Sequence, residues 1–136
     1  GELKEALVRY AEQLGISEAV KFHGFSSEIH KIMAESAIYV SSSDYEGISN
    51  SMLEALAIGI PAICTDCPVG GARMYIRDGE NGYLIPVGDA DVMADRMLAL
   101  MEDKKLGESF SKESVKIREE LTDDRIFGMW KALLVR

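Results

Sequence analysis

The feature that most constrains this chain is a cadence: a short apolar run, a loop rich in glycine and serine, then a helical pattern, repeated four times between Val20 and Met101. The runs at Val20–Phe25, Ala37–Ser41, Pro61–Thr65 and Tyr83–Val87 do not alternate apolar with polar residues. Alternation marks a strand with one wet face, whereas a continuous apolar run is covered on both. Strands of this kind that alternate with helices predict an α/β fold, a doubly wound parallel sheet. Its ligands bind outside the carboxyl ends of the strands, so the informative loops are 24–28, 42–51 and 66–72.

The helical patterns frame that sheet. Leu3, Ala6, Leu7, Tyr10, Ala11 and Leu14 recur at helical spacing, which predicts a first helix over Glu2–Leu14 ending at Gly15. Ser26 or Ser27 is placed to cap a helix carrying Ile29, Ile32 and Met33, and an apolar helix of about nine residues runs up to Gly59. Ala72–Ile76 reads as a short helix before the turn Asp78-Gly79-Glu80-Asn81-Gly82, and Asp89 caps a helix with Val92, Met93, Met97, Leu98 and Met101 in register. Helical patterns over Leu106–Leu121 and Thr122–Arg136 form an all-helical tail.

Composition excludes several functions. The 136 residues carry 15 Lys+Arg against 23 Asp+Glu, a net charge of −8, which repels nucleic-acid phosphates at long range. The longest run without a polar side chain, Ala55–Cys64, contains Gly59 and Pro61 and is half of the roughly 20 residues a bilayer requires. Two cysteines build no disulfide framework and no basic-then-apolar leader opens the sequence, so a reducing cytoplasm is the expected compartment. The chain starts at Gly1 without Met and enters a helix at once, which reads as a piece of something longer.

The richest loop is Asp44-Tyr45-Glu46-Gly47-Ile48-Ser49-Asn50-Ser51-Met52-Leu53-Glu54, between a buried strand and a buried helix. Gly47 permits close approach of a ligand, and the free amides of Asn50, Ser51 and Met52 open the helix at its positive dipole end, a geometry that suits phosphate. Glu46 and Glu54 bracket that anion site. As acceptors without donors, they suit hydroxyls, so the pattern fits a ligand with phosphates in the middle and hydroxyls at both ends, the form of a nucleotide sugar. The competing structural reading is that Ser51-x-x-Glu54 is a capping box, the serine oxygen and the glutamate each pairing an orphan amide.

Glu46 to Ala55 followed by Gly59-Ile60-Pro61 resembles the E-x7-E signature of retaining nucleotide-sugar glycosyltransferases of the GT-B fold, the group 1 or GT4 family. The resemblance extends upstream through Phe22-His23-Gly24-Phe25 and downstream through Asp78-Gly79-Glu80-Asn81-Gly82-Tyr83-Leu84 and Gly88-Asp89. It implies the C-terminal, donor-binding domain of such an enzyme, transferring a sugar from a UDP-sugar or GDP-sugar with retention and without a metal. Glu46, the catalytic-site candidate, would hold the donor sugar with the amides of Gly47 and Ile48. The amides of Asn50 and Ser51 would hold the diphosphate, Glu54 the ribose, and the backbone near Phe25 the base. Capping by Glu54 and ribose binding are compatible. Ile48-Ser49 stands where many members have Phe-Gly, which leaves the sugar open.

The resemblance also implies parts that this sequence does not contain: an acceptor-binding N-terminal domain and two earlier strands whose loop carries a basic pair. With the family's sheet order 3-2-1-4-5-6, Val20–Phe25 would lie apart from Ala37–Ser41, leaving edges that need cover. Either residues before Gly1 complete the sheet, or chains exchange in a dimer through exposed sheet edges. The resemblance leaves room for peripheral membrane association of the full-length protein, and this chain alone is expected not to turn over.

Other motifs receive structural readings. Cys64-Thr65-Asp66-Cys67 runs into Pro68 instead of opening a helix, so packing outweighs redox or zinc chemistry. Asp89-Ala90-Asp91 sits where a helix needs its cap, not as a metal motif. His23 and His30 lack a ligand cluster and are expected to be solvated or hydrogen-bonded. Phe127 and Trp130 are candidates to cover an interface with the absent domain.

Overall fold

The computed structural model describes residues 2–135. Helix α1 (Lys4–Gln13) is followed by a 3-10 turn at Ser17–Ala19, helix α2 (Ile29–Ala34), strand β1 (Tyr39–Ser41) and helix α3 (Asn50–Ile58). Strand β2 (Ala62–Thr65), a 3-10 turn at Ala72–Met74 and strand β3 (Gly82–Ile85) come next. Helices α4 (Ala90–Glu102), α5 (Lys104–Ser114), α6 (Ile117–Glu120) and α7 (Asp123–Leu134) make the tail; Arg136, read as its last residue, lies outside the described residues.

The sheet is parallel, in the order β1-β2-β3, with Val40 beside Ile63 and Ile63 beside Tyr83. Every residue of β2 is buried, as a central strand covered on both faces requires. One face packs Ala62 and Cys64 against Met52 and Leu56 of α3, Ile76 and Ile117 of α6. The other packs Ile63 and Ile85 against Leu100 of α4 and Phe110 of α5. Helices on both faces make this the doubly wound α/β architecture expected. Full burial of side chains such as Phe110 and Leu56 contributes about 1.5–3 kcal/mol each.

Helix α3 positions the site, and its ends explain its length. Its interior, Met52 to Ala57, consists of strong helix formers. At its end Gly59 takes the left-handed conformation (φ 97°). The Gly59 amide then donates to the Leu56 carbonyl at 3.0 Å and the Ile60 amide to the Ala55 carbonyl at 2.9 Å, a Schellman closure. Pro61 stops any continuation and delivers the chain into β2.

Four expectations are corrected. Val20–Phe25 is not a strand: Val20 is extended (φ −108°, ψ 124°), but none of the three strands lies alongside, and a strand without a ladder partner is no strand. Neither Ser26 nor Ser27 caps α2: Glu28 stands before its first turn without a side-chain cap, and the Ser26 hydroxyl accepts from the Glu28 amide at 3.1 Å in the turn ahead of it. Ala72–Ile76 tightens to a single 3-10 turn, and Leu106–Leu121 is broken into α5 and α6 near Val115.

Candidate functional site

The loops that leave the carboxyl ends of the three strands gather at one end of the sheet, and hydrogen bonds stitch them together. Thr65 at the end of β2 donates its hydroxyl to the Ser43 carbonyl, and the Asp66 amide donates to the Ile85 carbonyl at 2.7 Å. Glu46 is pinned through its backbone: its amide donates to the Pro68 carbonyl at 3.0 Å, and its carbonyl accepts from the Val69 amide at 3.3 Å. That leaves the carboxylate of Glu46, an exposed residue, uncommitted to any ion pair among the described residues.

Gly71 fixes how close the two loops come. Its dihedrals are ordinary right-handed ones (φ −62°, ψ −37°), so no strained φ demands glycine there. A Cβ on Gly71 would stand 1.9 Å from the Gly47 carbonyl oxygen and 2.7 Å from the Ile48 nitrogen. The absent side chain lets loop 66–71 lie directly against the Glu46-Gly47-Ile48 turn. The far side of loop 66–73 is braced by Arg73, whose guanidinium meets both carboxylate oxygens of Asp66 at 2.9 and 2.5 Å. The pair raises the pKa of Arg73, first by that hydrogen bond and then by the Asp66 charge.

At the start of α3, Ser49 is the residue before the first turn, and its side chain caps nothing. Leu53 is the first amide of the helix to find a carbonyl, that of Ser49 at 3.1 Å. The amides of Asn50, Ser51 and Met52 make no hydrogen bond within the chain among the described residues, and neither do those of Gly47 and Ile48. Asn50 and Ser51 are exposed, whereas the Met52 side chain turns into the core. These donors sit at the positive end of the helix dipole and are fixed by a buried helix.

The capping-box reading of Ser51 and Glu54 is overturned. Ser51 lies two residues inside the helix, past the position from which a side chain can cap it. Its hydroxyl pairs instead with the Tyr39 hydroxyl at 2.8 Å and the Ser49 hydroxyl at 3.0 Å. Glu54 points away from the first-turn amides and places Oε2 at 3.2 Å from Nε2 of His30 on α2. Phe25, on the loop before α2, is 99% exposed, so its ring packs on nothing in the chain.

Sequence reasoning brought together Glu46, Gly47, Ile48, Asn50, Ser51 and Glu54 through their shared loop and helix, and the structure keeps them there. It missed the contribution of Gly71, the hydroxyl chain Tyr39–Ser51–Ser49, and His30 as the neighbour of Glu54. No local pattern announces Gly71, Tyr39 or His30 there, because the contacts each makes join segments that the fold alone brings together.

Other candidates resolve into structure. Cys64 and Cys67 are free and buried, and burial, then the neighbouring Cys67, pushes the Cys64 thiol up to about 12, the opposite of an activated thiol. Asp89 accepts from the Val92 amide at 3.0 Å, the cap expected of it. A hollow of about 140 Å³ at the strand ends is lined by Ser42, Asp44, Thr65 and Gly88. A wider apolar groove of about 760 Å³ opens at the opposite end of the sheet, beside Ala37, Gly59 and Pro61. Its size does not make it the site: the convergent unpaired donors and carboxylates lie at the strand ends. No described helix is long and apolar enough to cross a membrane.

A family model described as glycosyl transferases group 1 matches residues 1–116. EpsD of Bacillus subtilis (strain 168), assigned as a glycosyltransferase, is 36% identical over 138 residues, covering 98% of this chain and 36% of its own length. TarM of S. aureus, in a crystal structure with fondaparinux, alpha-GlcNAc-glycerol and UDP, superposes with a TM-score of 0.88 at 29% identity, over 96% of this chain and 27% of that one. The C-terminal domain of a group 1 glycosyl transferase, LpcC of Francisella tularensis, superposes with a TM-score of 0.75 at 27% identity, over 88% of this chain and 62% of that one. The chain spans about a third of the length of the curated relatives it matches, and its architecture is that of a GT-B C-terminal domain.

Proposed function

Because this chain belongs to the group 1 glycosyl transferases, we propose that residues 1–136 form the donor-binding part of an enzyme that moves a sugar from a nucleoside diphosphate to an acceptor with retention of configuration. The observation that carries the reading is the row of amides at Asn50, Ser51 and Met52, unpaired within the chain at the mouth of a buried helix. In this reading the amides of Asn50 and Ser51 receive the diphosphate, and Glu46 with the amides of Gly47 and Ile48 receives the sugar. Glu54 accepts from the ribose hydroxyls, and the backbone at Phe25 faces the base.

The chemistry follows from where charge develops. As the glycosidic bond breaks, negative charge grows on the departing diphosphate, and donors already aimed at it stabilise that charge without reorganising. Loss of one such donor typically lowers the rate about 10²- to 10³-fold. Glu46 and Glu54 stand outside the anion position and bind hydroxyls, since a carboxylate against a phosphate is repulsive. The whole protein supplies the acceptor site and excludes water there; the 136-residue chain binds donor and does not turn over. We place the whole enzyme in the cytoplasm, without a metal requirement, in the assembly of a bacterial surface polysaccharide.

Isothermal calorimetry with UDP and GDP tests this reading. One of them binds with a dissociation constant of roughly 10 µM to 1 mM, and Glu54→Ala weakens it about tenfold, about 1.4 kcal/mol. A folded sample that gives neither heat nor a thermal shift with either nucleotide overturns it.

A further inference from the structure

The Glu54 carboxylate is held from outside its own helix. Met33 of α2 and Ala55 of α3 pack together with Ile60, just past the end of α3. That contact sets the turn of α2 bearing His30 beside the turn of α3 bearing Glu54, with Nε2 at 3.2 Å from Oε2. Among the described residues this is the one polar bridge between the two helices, and no partner lies on Oε1. Both side chains stay in contact with water, at 66% and 42% of full exposure. So the pair is not a buried strut of the fold.

An exposed glutamate has several rotamers and loses freedom when a ligand fixes it, which lowers affinity unless the side chain is already held. His30 can donate Nε2–H to Oε2 as an imidazolium or as the Nε2–H tautomer. A carboxylate has acceptor sites for about four hydrogens, so one imidazole N–H leaves Oε1 and the second lone pair of Oε2 for another partner. Two acceptors side by side match the two neighbouring hydroxyls of a ribose. The loop that leads into α2 is the one that carries Phe25. His30 thereby joins the segment expected at the base to the residue expected at the ribose.

We propose that His30 is a positioning residue for ribose recognition: by holding Oε2 it presents Glu54 to the 2′- and 3′-hydroxyls of the nucleotide, without itself touching phosphate or sugar. This rests on the reading of Glu54 as the ribose ligand, and it adds a residue and a specificity, ribonucleotide over dideoxynucleotide, to that site.

The test is calorimetry of the 136-residue chain with UDP, GDP and their 2′,3′-dideoxy analogues. The wild-type chain binds the cognate ribonucleotide about tenfold or more tightly than its dideoxy analogue. His30→Ala shrinks that preference to about twofold by weakening ribonucleotide binding alone, with the dideoxy affinity and melting temperature unchanged. His30→Gln, whose amide still donates to Oε2, keeps most of the preference. An undiminished preference in His30→Ala overturns this proposal while leaving the donor site standing, as does equal loss for both nucleotides. Absence of binding by any of the four nucleotides to the folded wild-type chain overturns both together.

Discussion

Two polar segments of this molecule look alike in sequence and behave in opposite ways. Asp78-Gly79-Glu80-Asn81-Gly82 and Glu46-Gly47-Ile48-Ser49-Asn50 each mix glycine with acidic and amide residues beside an apolar element. In the first, the polar groups close on the chain itself. Asn81, 2% exposed, accepts from the Arg77 amide at 2.8 Å, donates to the Tyr75 carbonyl at 3.0 Å, and offers its own carbonyl to the Ser114 hydroxyl at 3.0 Å. Asp78 accepts from the Leu84 amide, and Gly82 lies so close to the Ala62 carbonyl oxygen that a Cβ would stand 2.4 Å from it. In the second, continued to Ser51, Glu46 pairs through its backbone and the Ser49 carbonyl takes the Leu53 amide, while the amides of Gly47, Ile48, Asn50 and Ser51 meet no acceptor among the described residues. The difference separates a motif that builds the fold from one free to receive a ligand: the first turns its side chains and most of its amides onto the chain, and the second leaves a row of amides unpaired on a rigid frame.

Breaking each segment should therefore register on a different scale. Asn81→Ala leaves the Arg77 amide and the Tyr75 carbonyl without their part-buried partner and empties the space of a buried side chain, at about 2–4 kcal/mol of stability. Urea unfolding should register that loss, accompanied by a fall of about 10 °C in melting temperature, while the surviving folded fraction binds UDP or GDP with unaltered affinity. A weakened affinity in that fraction would erase the distinction between the segments. Gly71→Ala comes next. Its Cβ forces loop 66–71 away from Gly47 and disturbs the donors, so nucleotide affinity drops more than tenfold while the loss of stability stays below that of Asn81→Ala. An affinity within twofold of wild type would mean that the apposition of the two loops is irrelevant to binding.

How far the sequence carried this comparison depends on distance along the chain. The run from β1 through α3 to β2 was legible nearly residue by residue, because an apolar strand, a polar loop, the strong helix formers Met52 to Ala57 and Gly59-Ile60-Pro61 all act locally. Asp89 as a cap was readable for the same reason. Val20–Phe25 was misread since its residues favour strands but the ladder partner is a tertiary matter. The spacing of Ser51 and Glu54 allowed a capping box because it gives the separation of two residues, not where the helix begins; one turn beginning at Asn50 rather than Met52 decides the question. His30 lies 24 positions from Glu54, beyond any periodic signal.

Smaller effects sharpen the picture. Ser51→Ala keeps the backbone amide and removes only the hydroxyl contacts with Tyr39 and Ser49, so nucleotide affinity should change by less than about threefold and stability by less than about 0.5 kcal/mol. A stability loss near 1 kcal/mol, the usual cost of deleting a cap, would restore the capping reading. An effect confined to alkaline pH is expected at Cys64. Its thiol, pushed from 9.0 up to about 12 by burial and then by Cys67, is held neutral in the fold. A raised folded pKa contributes stability that is complete below the unfolded value and is lost as pH climbs through the folded one. Urea midpoints should thus fall between about pH 9 and 12, and Cys64→Ala should flatten that part of the curve; an identical slope in both chains would locate the alkaline loss elsewhere.

The most direct measurement is a nitrogen-15 amide NMR titration of the folded chain with UDP and with GDP. The account predicts that the resonances of Gly47, Ile48, Asn50 and Ser51 shift together and saturate at one dissociation constant, while those of Arg77 and Asn81 in the closed turn stay fixed. Saturable binding that moves resonances along the apolar groove at Ala37 and Pro61, with the amides at the mouth of α3 unmoved, would contradict it.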